Sequence, residues 1–151
     1  MSLEVVVGHD PDVVREILAT VPEWFGIPEA NASYVDDAGT LPSYLAVDGD
    51  EVVGVALLSE HFPHARELHL IAVRRDRHRQ GVGRALLRAV EDDLRAAGVK
   101  ILEVHTVGPS SADEGYARTR EFYLAQGFVA INELQRIDWD GPTLILVKPL
   151  T

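Results

Sequence analysis

Residues 66–107 restrict the fold of this chain more than any other stretch. The segment "RELHLIAV", 66–73, predicts a strand, and an amphipathic helix is predicted from Gly81 to a stop at Gly98. Its apolar stripe consists of Val82, Leu86, Val90 and Leu94. The segment "KILEVHTV", 100–107, predicts a second strand directly after that stop. A strand, a helix and a strand joined in this way form a right-handed crossover between parallel strands.

Strand and helix patterns alternate along the rest of the chain. We predict strands over 3–8, 128–134 and 143–148, a hairpin over 43–60 that turns at "DGD", a helix that starts at Asp10 and Pro11, and a helix over 116–125. Residues 22–42 contain prolines and glycines but few periodic apolar residues, so we predict an irregular or briefly helical segment and a candidate substrate-side loop. The pattern predicts a mixed α/β sheet with helices packed against it.

Length and composition fit a single globular domain over residues 1–151, with 46% hydrophobic and 25% charged residues. No apolar run approaches the ~20 residues that span a bilayer, and "MSLEVVVGHDPD" lacks the basic start and cleavage site of a signal peptide. We therefore expect a cytoplasmic protein with no membrane partner. The chain has no cysteine, which excludes a disulfide framework, a thiolate metal site and a cysteine nucleophile.

The charge is negative overall but basic in one place. The 14 Lys plus Arg against 24 Asp plus Glu give a net charge of −10, so nucleic acid is a poor general partner. Four arginines fall within six positions, namely Arg74, Arg75, Arg77 and Arg79. Because charges more than about 8 Å apart are largely screened at physiological salt, this local cluster can attract an anion to an acidic protein.

The stretch "RHRQGVGRALL", 77–87, places two glycines at the start of the predicted helix. A helix N-terminus leaves N–H groups unpaired and carries the positive end of the helix dipole, so it binds anions. Gly81 and Gly83 lack the Cβ atoms that would keep a phosphate from this backbone, and Gln80 and Arg84 can close around it. A Walker loop and the G-x-G-x-x-G fingerprint both fit worse. The alternative is a tight turn with solvated arginines.

Two segments resemble one known family. "VRRDRHRQGVGRALL", 73–87, resembles the acyl-CoA signature of the GNAT superfamily of N-acetyltransferases, Arg/Gln-x-x-Gly-x-Gly/Ala after a strand that ends in Val. "EFYLAQGF", 121–128, resembles the later block of that family, in which an aromatic-Tyr pair precedes Gly-Phe. The resemblance covers roughly residues 43–130. It implies a single-domain α/β fold whose sheet is mixed and largely antiparallel, with a central parallel βαβ pair and flanking helices. It also implies acetyl transfer from the co-substrate acetyl-CoA to a primary amine.

The resemblance implies that acetyl-CoA binds at the end of one strand and at the glycine turn. The strand backbone would pair with the pantetheine arm, and the N–H groups of the turn would hold the pyrophosphate. The implied contacts are Ile71, Ala72 and Val73 on the strand, and Arg79, Gln80, Gly81, Val82, Gly83 and Arg84 at the turn. Two positions depart from the family pattern. His78 stands where Arg or Gln is usual, and Tyr116 stands where Asn is common.

Acetyl transfer needs a neutral amine, a stabilised oxyanion and a protonated thiolate. An amine with a pKa near 10.4 is only about one part in a thousand neutral near pH 7, which adds ~4 kcal/mol to the barrier.

Strand alternation puts Glu67 and His69 on one face, and both match positions from which this family supplies a base or a water relay. Glu67 is our first choice and His69 our second; the alternative is a solvated strand end. Tyr123 matches the general acid of the family. The alternative is that Tyr123 only packs its ring and hydrogen-bonds its hydroxyl. A backbone N–H within residues 71–73 is expected to meet the oxyanion.

Two other features carry predictions of their own. Trp24 and Phe25 could line an acceptor pocket or pack a loop onto the core. A histidine-rich stretch offers His61, His64, Glu67 and His69 as metal ligands. Its spacing matches no known zinc pattern, so we expect no metal. The expected acceptor is a small-molecule or peptide amine, and a homodimer is one option for the assembly.

Two other functions compete with acetyl transfer. A non-catalytic acyl-CoA-binding or regulatory module would keep the glycine turn without needing Glu67, His69 or Tyr123. An acyltransferase that acts on charged tRNA should need a broad basic surface, against which the net charge of −10 argues.

Overall fold

The computed structural model describes residues 2–151. These residues contain seven strands and four α-helices: β1 Leu3–Val7, α1 Pro11–Ala19, α2 Pro28–Asp37, β2 Ser43–Asp48, β3 Glu51–Phe62, β4 Ala65–Val73, α3 Val82–Ala96, β5 Ile101–Val107, α4 Ala117–Ala125, β6 Val129–Gln135 and β7 Pro142–Pro149. They form two compact units. Unit 1 comprises the described residues through Ser59 together with Leu68–Asp93, and unit 2 comprises Glu60–Glu67 and Leu94–Thr151. The single domain expected over 1–151 stays a prediction.

The strands of unit 1 follow the order β1-β2-β3-β4. β1 and β2 pair antiparallel, as do β2 and β3. The turn between β2 and β3 contains Gly49 at a φ of 62°, which confirms the predicted hairpin at "DGD". α1 begins as predicted, because the carboxylate of Asp10 accepts the Val13 N–H at 3.1 Å and Pro11 occupies the first turn.

α2 lies within residues 22–42, where the sequence predicts an irregular or briefly helical course. The helix is ten residues long and starts with Pro28, but its N-cap makes no side-chain hydrogen bond. Val35 is the one buried residue of the ten, so the helix has little amphipathic pattern to reveal it. Its stability comes mainly from tertiary packing. Val35 packs with Val14 and Leu18 in the core of unit 1.

Gly54 in β3 lets α3 approach the sheet closely. A Cβ at this position would lie 2.8 Å from Val82 Cγ1, 3.0 Å from Leu86 Cδ1 and 3.3 Å from the Ala72 carbonyl oxygen. Carbon atoms in contact are normally about 3.5–4.0 Å apart, so a larger residue would have to displace the helix. Val82 and Leu86 are both buried, which confirms the predicted apolar stripe at this end of α3. The close approach at Gly54 therefore lets the first turns of α3 pack directly on β3.

Unit 2 contains the start of β4 and the strands β5, β7 and β6, which neighbour one another in that order. The carbonyl of His64 accepts the N–H groups of Lys100 at 2.9 Å and Ile101 at 3.2 Å where β4 and β5 begin. The helical crossover makes this pair parallel, whereas β5–β7 and β7–β6 are antiparallel. Buried apolar side chains of the unit include Leu102, Val104, Phe128 and Leu146. The predicted mixed, largely antiparallel α/β fold is confirmed.

Across residues 2–151, no helix is both long enough and apolar enough to cross a bilayer.

Candidate functional site

β4 alternates in burial along its length. Leu68, Leu70 and Ala72 are buried, whereas the residues between them are half-buried. The half-buried set is Glu67, His69, Ile71 and Val73. This period of two confirms that the predicted base residues share a strand face with the predicted pantetheine-binding positions. Glu67 belongs to unit 2, and the other three residues belong to unit 1.

The glycine turn of unit 1 presents unpaired N–H groups at the start of α3. Gly81 has a φ of 82°, which only glycine adopts readily, and Arg79 has a φ of 64°. The first α-helical bond runs from the Ala85 N–H to the Gly81 carbonyl at 3.0 Å. The N–H groups of Val82, Gly83 and Arg84 precede the groups that are paired along the helix, and none of the three has a partner within residues 2–151. The turn can therefore bind an anion through its backbone.

The basic cluster beside this turn is largely neutralised by acids. Arg77 bonds Asp48 at 2.5 Å and Glu51 at 3.1 Å, and Arg74 bonds Glu51 at 3.1 Å. Arg75 pairs with Glu23. These pairs lower the pKa values of Asp48 and Glu23, each chiefly through the hydrogen bond from its arginine.

Two arginines at the turn itself are not neutralised by acids and can attract an anion. Arg79 and Arg84 have no acidic partner among the residues that the structure describes. The local positive charge is therefore smaller than the sequence suggests, and it is concentrated on these two exposed side chains.

His78 contacts the strand that precedes the turn. Its Nε2 donates to the carbonyl of Val73 at 2.9 Å. The ring of Trp24 lies edge-on to His78 at 6.0 Å and also contacts the guanidinium of Arg75. His78 is one of the two positions that depart from the family pattern. Its side chain thus hydrogen-bonds to one of the carbonyls that are expected to pair with pantetheine. Trp24 packs beside the glycine turn.

His69 has a partner that sequence analysis missed. Its Nε2 lies 2.8 Å from Oδ2 of Asp37, the last residue of α2. The ring of Tyr34 packs edge-on against the imidazole at 5.3 Å, and Phe25 contacts Tyr34 at 6.0 Å. Asp37 lies 32 residues before His69 in a segment with almost no helical pattern, so no local signal connects them.

Phe25 belongs to the packing of unit 1. It lies against the core cluster that contains Val14 and Val35. Its carbonyl accepts the side-chain amide of Asn31 at 2.7 Å. A role for Phe25 in binding the acceptor stays a prediction.

Glu67 lies in a group of carboxylates and imidazoles in unit 2. Its Oε1 is 2.7 Å from Nε2 of His61. Nearby, His105 contacts Glu103 at 2.5 Å and Asp138 at 2.8 Å. Burial opposes protonation of His105, but the hydrogen bonds to Asp138 and Glu103 outweigh it and raise the pKa of the imidazole above its ordinary value.

Three groups in unit 2 are close enough to share one cation. Ligand atoms of His61, Glu67 and Glu103 all lie within 4.8 Å of one another. Two of the four candidate ligands in the histidine-rich stretch, His61 and Glu67, belong to this group, whereas His64 and His69 do not. His64 stacks on Phe62 at 5.2 Å, whereas His69 bonds Asp37. The expectation that the protein needs no metal stays a prediction.

Tyr123 lies on α4 in unit 2 and is 5% exposed. Its ring contacts those of Phe122 and Phe128, each at 5.5 Å, and its carbonyl accepts the Phe128 N–H at 3.0 Å. Tyr116, the second departure from the family pattern, is the N-cap of α4 and makes no side-chain cap. The "FYLAQGF" block therefore has a packing role in unit 2, and the acid role of Tyr123 stays a prediction.

Comparisons with known proteins agree on one family. The model of the acetyltransferase (GNAT) family matches residues 12–128. A GNAT-family protein from Desulfovibrio desulfuricans superposes with a TM-score of 0.87 at 24% identity, covering 99% of this chain and 100% of its own. The ribosomal-protein-S18-alanine N-acetyltransferase of Escherichia coli gives 0.77 at 19% identity, with coverage of 99% and 95%. An acetyltransferase of the GNAT family from Elizabethkingia anophelis, solved with acetyl-CoA bound, gives 0.74 at 17% identity and 97% of each chain. At these identities the structures show a shared fold. No curated protein sequence matches the chain significantly.

Proposed function

The chain belongs to the GNAT family of acetyltransferases, and we propose that it transfers an acetyl group from acetyl-CoA to a primary amine. The transfer takes place by direct attack in a ternary complex. The acceptor is a small-molecule or peptide amine, and the reaction needs no metal.

One observation carries this proposal, the unpaired N–H groups of Val82, Gly83 and Arg84 at the glycine turn. Hydrogen bonds to a charged group are worth about 1.5–3 kcal/mol each, so three such donors can hold a pyrophosphate firmly. The side chains of Arg79 and Arg84, which have no acidic partner within residues 2–151, can add to this binding.

The proposed reaction assigns each step to a group of this chain. A base on β4, Glu67 or His69, takes a proton from the acceptor ammonium. The neutral amine attacks the thioester carbonyl, and a backbone N–H within residues 71–73 stabilises the oxyanion. The C–N bond forms, the C–S bond breaks, and Tyr123 protonates the departing thiolate. The nitrogen loses its second proton to solvent as the amide forms, and Tyr123 recovers a proton from water.

Two considerations support an amine acceptor. The Escherichia coli neighbour is named for a ribosomal-protein alanine, which is a peptide amine. The net charge of −10 favours encounter with a cationic molecule, although it does not specify which one. The cytoplasmic location and the homodimer remain predictions.

Two measurements test the proposal. Calorimetry should detect CoA binding, and an acetyl-CoA thiol-release screen across polyamines, aminoglycosides, amino acids and N-terminal peptides should find an acceptor. No binding of CoA would reject the proposal altogether. Binding without transfer to any acceptor would instead favour the acyl-CoA-binding module.

A further inference from the structure

Asp37 and His69 form a hydrogen-bonded pair at the side of β4. The Asp37 Oδ2 to His69 Nε2 distance is 2.8 Å, and the two side chains are 36% and 29% exposed. We propose that Asp37 is a positioning residue. It holds His69 in the tautomer that carries its proton on Nε2 and leaves Nδ1 to accept the proton of the acceptor amine. This inference rests on the proposed acetyl transfer and assigns the base to His69 rather than Glu67.

The tautomer follows from the chemistry of the two groups. An ionised carboxylate only accepts hydrogen bonds, so the contact requires a hydrogen on Nε2. A neutral imidazole carries one N–H, and Nδ1 therefore keeps its lone pair. When an ammonium proton moves to Nδ1, the amine keeps the electron pair with which it attacks. The resulting imidazolium lies directly against the carboxylate of Asp37, which stabilises the new positive charge.

α2 restrains the same imidazole in a second way. Tyr34 and Asp37 are three residues apart and therefore share a face of the helix. The Tyr34 ring packs edge-on to His69 at 5.3 Å, and Phe25 packs against Tyr34 in turn. Asp37 fixes which nitrogen carries the proton, while Tyr34 limits rotation of the ring. Asp37 also ends α2, where the negative end of the helix dipole favours a cation.

The position of His69 on β4 suits a base. His69 lies two residues before Ile71 on the same strand face, a separation of about 7 Å along the strand. The backbone that starts at Ile71 is the predicted acetyl-CoA strand, and both positions belong to unit 1. Glu67, the other candidate, already engages its Oε1 with His61 in unit 2.

The test compares Asp37→Asn with Asp36→Asn. Asp36 is adjacent and exposed, and its carboxylate has no partner in the part of the chain described, which makes it a matched control. An asparagine can donate its amide hydrogen to Nε2 and so favour the wrong tautomer. We expect Asp37→Asn to lower kcat roughly 10-fold at unchanged KM for acetyl-CoA, and His69→Gln to lower it roughly 100-fold. Asp36→Asn should change neither constant.

A double variant separates positioning from a purely structural role. If Asp37 acts through His69, the combined Asp37→Asn and His69→Gln protein should be no slower than His69→Gln alone. Losses that multiply would overturn the inference, as would full activity of His69→Gln.

Nitrogen-15 NMR of the imidazole ring reads the tautomer without any acceptor. The wild-type protein should show His69 protonated on Nε2, and Asp37→Asn should shift the proton toward Nδ1. A wild-type spectrum with the proton on Nδ1 would overturn the inference even if the variant did not fold. If the thiol-release screen finds no acceptor, the proposed function and the base role both fail. A wild-type spectrum protonated on Nε2 would then still support the Asp37 contact.

Discussion

Replacing Gly81 with alanine tests whether the turn binds acetyl-CoA through its backbone. Gly81 has a φ of 82°, so an L-residue there costs roughly 1–2 kcal/mol of stability. In the unbound protein the new Cβ would meet only the Arg84 guanidinium, at an ordinary 3.5 Å, so no clash adds to this cost. Gly49 in the β2–β3 turn has a φ of 62° and no atom within 4 Å of its added Cβ, which makes Gly49→Ala a matched control. Both variants should lose similar stability in urea denaturation.

Binding should separate the two variants. The Cβ of Gly81→Ala would lie 3.5 Å from the Arg84 guanidinium, at the turn where the pyrophosphate is proposed to bind. Loss of one charged hydrogen bond costs about 1.5–3 kcal/mol, which is about a 10- to 100-fold increase in Kd for CoA. Calorimetry of CoA with each variant measures this difference, and pantetheine, which lacks the pyrophosphate, should bind both variants equally. A Kd for CoA that is the same in Gly81→Ala and Gly49→Ala would refute the backbone cradle.

Three further predictions concern other elements. Tyr123→Phe should lower turnover at least about 100-fold while calorimetry shows unchanged acetyl-CoA binding, and equal turnover would exclude the acid role. Gly54→Ala should lower the urea unfolding free energy by about 1–3 kcal/mol, because its Cβ would press on Val82 and Leu86; unchanged stability would mean that α3 moves freely. The raised pKa of His105 means that the folded protein binds the proton more tightly, so this stabilisation is complete below about pH 6.5 and is lost as pH rises through the folded pKa. Asp138→Asn should lower the His105 pKa in an NMR titration and reduce the pH dependence of the unfolding free energy. An unchanged pKa would show that the hydrogen bond to Asp138 does not raise it.

Sequence patterns predicted most of the regular structure because they depend on neighbouring residues. The Asp10–Pro11 helix start, the hairpin at Gly49 and the alternation of β4 all appear as expected. The sequence predicts only an irregular or briefly helical course where α2 forms ten helical residues, since one buried residue leaves no periodic pattern. The four-arginine cluster was also misleading, because Asp48, Glu51 and Glu23 come from other parts of unit 1 to neutralise three of its members.

The glycine turn is a property of local sequence. A strand, two glycines and an amphipathic helix place unpaired N–H groups together, and the required backbone conformation depends only on residues next to one another. The partners of individual side chains are of another kind. Asp37 meets His69 across 32 residues, and Gly54 meets Val82 across a strand and a turn, because burial of apolar faces brings these elements together. Family resemblance therefore identifies where acetyl-CoA should bind, whereas the environment of each candidate base depends on long-range packing.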